Sequence, residues 1–134
     1  MEPKTFEPTI RLVHRDGRGE MYAIDLPGDK ELILLHCTEG ALRGGHSHSV
    51  PEQVMVLTGE MHYHKELAPG QETIKVLKEG YVTYNAAGEV HMAEFPVDSW
   101  ILEWKIGTNR TGWVNTNHQP YRALVEASGK GEAK

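Results

Sequence analysis

A chain of 134 residues is long enough to bury one hydrophobic core and too short for two, so a single domain is expected. Charged residues make up 25% and hydrophobic residues 39%, with 14 glycines and seven prolines, a soluble globular composition whose turn content suits an all-β chain. The formal net charge of −5 and the absence of any Lys/Arg-rich block argue against a nucleic-acid partner, which would require a basic face.

Taken in order, the chain reads as short strands divided by turns. Thr9 to Val13 is a first strand, ended by a polar loop from His14 to Gly19, and Met21 to Leu26 is a second. Pro27-Gly28-Asp29 is a strong turn signal. Leu32 to Cys37 is continuous and apolar, the pattern of a strand buried on both faces. The lone Cys37 has no partner for an intramolecular disulfide and is expected as a buried thiol, while His36 beside it is either pocket lining or a satisfied core histidine.

Further strands follow at Gln53 to Leu57, Met61 to His64, Glu72 to Leu77, Tyr81 to Tyr84, Met92 to Phe95 and Trp100 to Ile106, with a turn at Ala68-Pro69-Gly70. The apolar face of the Met61 strand places Met61 and Tyr63 inside and His62 and His64 outside. Thr108 to Tyr121 is long, polar and aromatic, suited to crossing a barrel mouth or reaching a second subunit. A short helix is expected near Tyr121 to Glu126, and residues 127–134 have no apolar content and read as a disordered tail, leaving 1–126 as the domain. The first residues lack the apolar core of a signal peptide and no run approaches a membrane span, so a cytoplasmic protein without a membrane partner is expected. Trp100, Trp104 and Trp113 are expected to pack.

The chemistry concentrates between Gly40 and Gly59. His46, His48 and Glu52 share parity, and residues two apart on a strand point the same way. Two inward imidazoles joined by a carboxylate form three sides of a cage for a borderline divalent ion. The stretch from Gly80 to His91 ends in a histidine placed to supply a fourth ligand. Val54 and Val56 share the ligands' parity and should line the interior beside the metal.

Together the two stretches resemble the cupin family. Gly40, His46, His48, Glu52 and Gly59 fill every fixed place of the first cupin motif, G-x5-H-x-H-x3-E-x6-G. Gly80, Gly88 and His91 fit the second, at 80–95, with Ala86 where proline is usual and Phe95 where asparagine is usual. The resemblance implies an antiparallel double-stranded β-helix, the small jelly-roll barrel, with His46, His48, Glu52 and His91 as ligands of one divalent transition metal (Fe, Mn, Ni, Cu or Zn). It also implies a homodimer, and pairing across a dimer would protect strand edges. No other cofactor is implied.

Tyr63 and Tyr84, both expected to point inward near a ligand, are candidate catalytic residues, because a phenol beside a metal can donate a proton to a small-molecule substrate. Three function classes follow. The first is a metal enzyme of dioxygenase or oxygenase type. The second rests on another resemblance: Asp16-Gly17-Arg18-Gly19 and Arg43-Gly44-Gly45-His46-Ser47-His48 look like patterns of nucleotide-sugar epimerases and ketoisomerases in the same superfamily. Arg43 would there contact phosphate or sugar. The third is a ligand-binding module without turnover. A metal-free isomerase has no reason to keep a complete four-ligand set, which favours the first.

Overall fold

The computed structural model describes residues 9–128. Alternating apolar residues between glycine- and proline-containing turns produce antiparallel strands and almost no helix. The strands are β1 (Ile10–Asp16), β2 (Gly19–Leu26), β3 (Lys30–Cys37), β4 (Leu42–His48), β5 (Glu52–Thr58), β6 (Glu60–Ala68), β7 (Gln71–Lys78), β8 (Val82–Asn85), β9 (Val90–Glu94), β10 (Ser99–Lys105) and β11 (Asn115–Asn117). A single described helix, α1 (Gln119–Ala127), follows them, slightly longer than the sequence suggested. No helix among the described residues is long and apolar enough to cross a membrane.

The strands form two sheets, ordered β1-β2-β3-β10-β5-β8 and β11-β4-β9-β6-β7. Every pairing is antiparallel, and the two sheets face each other as a jelly roll, as expected. Between them lies the main core, which includes Leu35, Cys37, Val54, Val56, Met61, Tyr63, Phe95 and Ile101. Outside β4, the helix buries Tyr121 and Val125 against Met92, with Leu42 and Val90 packed alongside.

Two local expectations are corrected, and the choice left open for the segment after β10 is decided. The polar loop at 14–19 contracts to a turn at Gly17-Arg18, because β1 runs on to pair Asp16 with Gly19. In β3 only Leu35 and Cys37 are buried, since among the described residues no layer covers the outer side of its sheet, which leaves Leu32, Leu34 and His36 half-buried. The segment after β10 folds back on its own barrel: β11 pairs with β4, setting Asn115 opposite His48 and Asn117 opposite His46. Of the expected tail, Ala127 and Ser128 finish the helix and residues 129–134 lie outside the described residues.

Candidate metal centre

The centre is built from a break in β4. Along this strand Arg43 pairs with Ala93 and Gly44 with Met92, but His46 pairs with His91, so Gly45 is an extra residue that the partner strand does not match. Gly44 and Gly45 have φ of 91° and 82°, a conformation that glycine adopts without strain. The bulge reverses parity, bringing Arg43 onto the same cavity wall as His46. Past it, regular alternation places His48 with His46, and the register brings in His91 from β9.

One nitrogen from each of His46, His48 and His91 lies within 4.8 Å of the others. Glu52, almost wholly buried at the start of β5, places Oε1 3.2 Å from His48 Nε2 and 3.5 Å from His91 Nε2. Its Oε2 accepts a hydrogen bond from Lys105 Nζ at 2.6 Å, and Asn85 Nδ2 donates to Oε1 at 3.1 Å. Burial pushes this carboxyl up, but the neighbouring His48 and the Lys105 ammonium outweigh it and hold Glu52 well below the usual carboxylate range. Burial and the neighbouring His91 and His48 lower the His46 imidazole to about 3, and burial likewise lowers His91, so both are neutral at ordinary pH.

The outer nitrogens of two imidazoles are committed. His48 Nδ1 donates to Asn115 Oδ1, and His91 Nδ1 donates to the Glu89 carbonyl at 3.1 Å. Because both acceptors are carbonyl oxygens, the ring proton belongs on Nδ1 and the Nε2 lone pairs are turned toward Glu52. Two lone pairs and a carboxylate oxygen thus meet in a buried space, an arrangement that repels itself unless a cation stands among them. The donor set therefore fits a divalent metal, with neutral imidazoles and a carboxylate as ligands.

Tyr63 is buried as expected. Its ring stacks on His91 at 5.8 Å and 12°, and its hydroxyl accepts from Asn85 Nδ2 at 2.5 Å. Tyr84 is corrected: it is 50% exposed. Residues paired across a sheet share a face, and β8 pairs Asn85 with Glu52 and Tyr84 with the outward Gln53, so the inward positions of β8 belong to Thr83 and Asn85. Tyr84 supplies only its carbonyl, which accepts from the buried Lys65 Nζ at 2.5 Å. Val54 and Val56 are buried, and Val54 lines the cavity. His62 and His64 lie on the outer face among Glu60, Glu72 and Glu94. His36 lies outside the cavity, bonded to Glu20 at 2.9 Å and stacked on Trp100 at 4.7 Å. Trp113 packs edge-on against His48 and also carries the Lys105 ammonium 4.2 Å from its ring centre.

The centre opens into a cavity of about 360 Å³, walled by apolar residues such as Val54 and Met61 and by the polar Arg18, Arg43, Arg122 and Glu103. Several of these were not read from the sequence. On β10 the apolar face is Trp100, Leu102 and Trp104, yet Ile101 and Glu103 line the cavity and Lys105 reaches Glu52. Asn85, which touches both Glu52 and Tyr63, was legible in principle, since a strand paired in register with β5 must place it inward.

No family model matches the chain, and no curated protein is similar to it. Its likeness is to solved structures. The capsular polysaccharide assembling protein CapF from Staphylococcus aureus superposes with a TM-score of 0.62 at 15% identity, over 78% of this chain and 30% of that one. A RmlC-like cupin from Shewanella frigidimarina gives 0.61 at 18% identity, over 78% of this chain and 91% of that one. The Drosophila melanogaster CENP-C structure bound to CAL1 gives 0.60 at 14% identity, over 72% of this chain and 79% of that one. The chain spans about a third of the length of CapF.

Proposed function

We propose, from the premise that this chain has the cupin fold, that it is a metal-dependent enzyme acting on a small molecule. In this reading His46, His48, Glu52 and His91 hold one divalent transition ion. The observation that carries it is the convergence of the His48 and His91 Nε2 lone pairs on Glu52 Oε1, at 3.2 and 3.5 Å, with their Nδ1 protons donated elsewhere. When bound, an iron, manganese, nickel or copper ion supplies open coordination positions and redox chemistry of the oxygenase type, and zinc supplies only a Lewis acid. The protein's own part is to hold the imidazoles in one tautomer, to keep Tyr63 as a protonated phenol beside His91, and to exclude water with Trp113 and β11. Burial and the Glu52 charge raise Tyr63 well above an ordinary phenol, so its hydroxyl is a proton donor and a hydrogen-bond partner rather than a base.

The test is elemental analysis of protein purified without chelator or added metal, beside a His46→Ala/His91→Ala variant. About one equivalent of metal, lost in the variant, is the expected result. A metal-free wild type with the fold intact overturns the reading and moves the nucleotide-sugar isomerase forward. That alternative must seat a nucleotide in a cavity of about 360 Å³, at the small end of the usual range of roughly 300–1,000 Å³. The non-catalytic alternative is supported by the likeness to CENP-C, whose structure holds a protein partner.

The homodimer is part of the same proposal, and one row of side chains supports it. Leu12, Tyr22, Leu34, Leu102, Met55 and Val82 stand opposite one another across all six strands of the larger sheet. The row is on the outer face and carries no charge, and a second copy related by a two-fold axis can cover it with its own. Leu102→Glu should halve the mass seen by light scattering, and a wild type that is already monomeric refutes the pairing.

A further inference from the structure

Among the described residues, Arg43 is a buried cation without a counter-charge in contact. The residue is 7% exposed, forms part of the cavity wall, and its Nε has no hydrogen-bond partner. One terminal nitrogen donates to the carbonyl oxygens of Arg18 and His36, at the long distances of 3.3 and 3.4 Å. The Cys37 thiol beside it remains protonated, because burial pushes it up to about 12 despite the guanidinium.

The other charged groups in the cavity do not pair with it directly. Arg18 is held by Asp16 through paired contacts of 2.8 to 3.2 Å, and Arg122 donates to the Gly44 carbonyl at 3.0 Å. Glu52 is matched by Lys105. Glu103 faces the same cavity but forms no hydrogen bond or close ion pair with a described residue. Leaving a buried guanidinium nitrogen unpaired is costly, so a protein that keeps one at a cavity wall is suited to a ligand that completes it. The fork of Nε and a terminal nitrogen accepts a planar carboxylate through two parallel hydrogen bonds.

We propose that the cavity binds a small organic acid, its carboxylate seated on Arg43 and its remaining polar groups turned toward the imidazole cage. The carboxylate seat does not depend on a metal, whereas the orientation of the rest of the molecule rests on the metal reading above. A monoanion matches one unmatched guanidinium. A phosphate dianion is disfavoured by the Glu103 carboxyl in the same space. The volume of about 360 Å³ limits the acid to a small one.

Calorimetric titration of the full chain, chelator-treated and again after metal loading, tests this with pyruvate, lactate, their neutral amides and inorganic phosphate. At least one of the two acids should bind both forms of the protein, the amides should not, and phosphate should bind more weakly than the acid. Arg43→Met should weaken the acid by about ten- to a hundredfold, and Arg43→Lys should restore part of that loss. The proposal is overturned if neither acid binds at millimolar concentration, if phosphate or an amide binds as tightly, or if Arg43→Met binds the acid as well as wild type does. Should Arg43→Met fail to fold, Arg43→Lys and the acid-versus-amide comparison on wild type decide the matter. Acid binding by a protein that takes up no metal would leave this inference standing and refute only the metal reading.

Discussion

Lys105 Nζ lies 2.6 Å from Glu52 Oε2, while Oε1 of the same carboxylate lies 3.2 Å from His48 Nε2. One oxygen is thus held by an ammonium and the other faces the imidazoles. Lys105 comes from β10 and Glu52 from β5, opposite each other in the larger sheet, while the histidines belong to the smaller one. The pair therefore fixes the carboxylate from the wall facing the histidines, and it supplies charge balance to Glu52 before any metal does.

Removing that ammonium should separate its two roles. Lys105→Met leaves a buried carboxylate unpaired and should destabilise the chelator-treated protein by about 3–5 kcal/mol. Saturating divalent metal should recover most of this loss, because the ion replaces the missing positive charge. Thermal melts with chelator and with metal check it; an unchanged gap between wild type and variant in the two conditions would mean that Glu52 does not face the ion.

Asn115 acts on the centre through His48. Replacing it with alanine removes the acceptor for His48 Nδ1 and frees the ring to adopt the other tautomer. Metal affinity should fall about ten- to a hundredfold while the melting temperature in chelator changes little, as read by competition with a chromophoric chelator. Equal affinity in the variant would show that the β11 contact is only a strand pairing.

The cavity should impose a pH dependence on stability. Burial first, and then the Glu52 charge, raise Glu103 to about 7 from 4.5, against the lowering influence of Lys105, His48 and Arg43. Between these values the folded protein holds a proton that the unfolded chain has lost. Glu103's contribution to stability is therefore present below about 4.5 and is lost as pH rises through about 7. His46 works the other way: lowered to about 3 from 6.5, its contribution is complete above 6.5 and is lost as pH falls. Between pH 4.5 and 6.5 the two slopes therefore oppose each other, and urea midpoints in chelator should rise more steeply with pH in Glu103→Gln than in wild type.

The bulge can be tested at Gly45. A Cβ there would lie 2.9 Å from the Arg122 backbone nitrogen and 3.0 Å from its Cδ, at a φ of +82°. Gly45→Ala should cost about 1–3 kcal/mol through backbone strain and through pushing α1 off β4. Because the bulge sets which way Arg43 points relative to His46, the same variant should weaken organic-acid binding more than metal binding. Chemical denaturation and the two titrations measure the three effects separately.

The chain by itself determined whatever depends on local spacing. Turn residues at short intervals marked nearly every strand, and the i, i+2 pair His46 and His48 announced two ligands on one face, because alternation within one strand is a local property of the backbone, with Glu52 following at the spacing of the first motif. The inward faces of the β5 and β6 strands, carrying Val54, Val56, Met61 and Tyr63, were legible for the same reason.

Tertiary structure decided whatever depends on which strand lies opposite which. Tyr84 points out and Asn85 in because β8 pairs with β5 in one register. Arg43 joins the cavity because one unmatched glycine reverses the parity of β4, and Glu103 faces inward although its strand has a more apolar face available on the other side. Asn115 reaches His48 from 67 residues away along the chain. Register and long-range pairing are set by the summed fit of two whole sheets, and a one-residue shift moves every side chain to the other face. The groups that surround the histidines, and with them the charge of the cavity, therefore became visible only in the folded barrel.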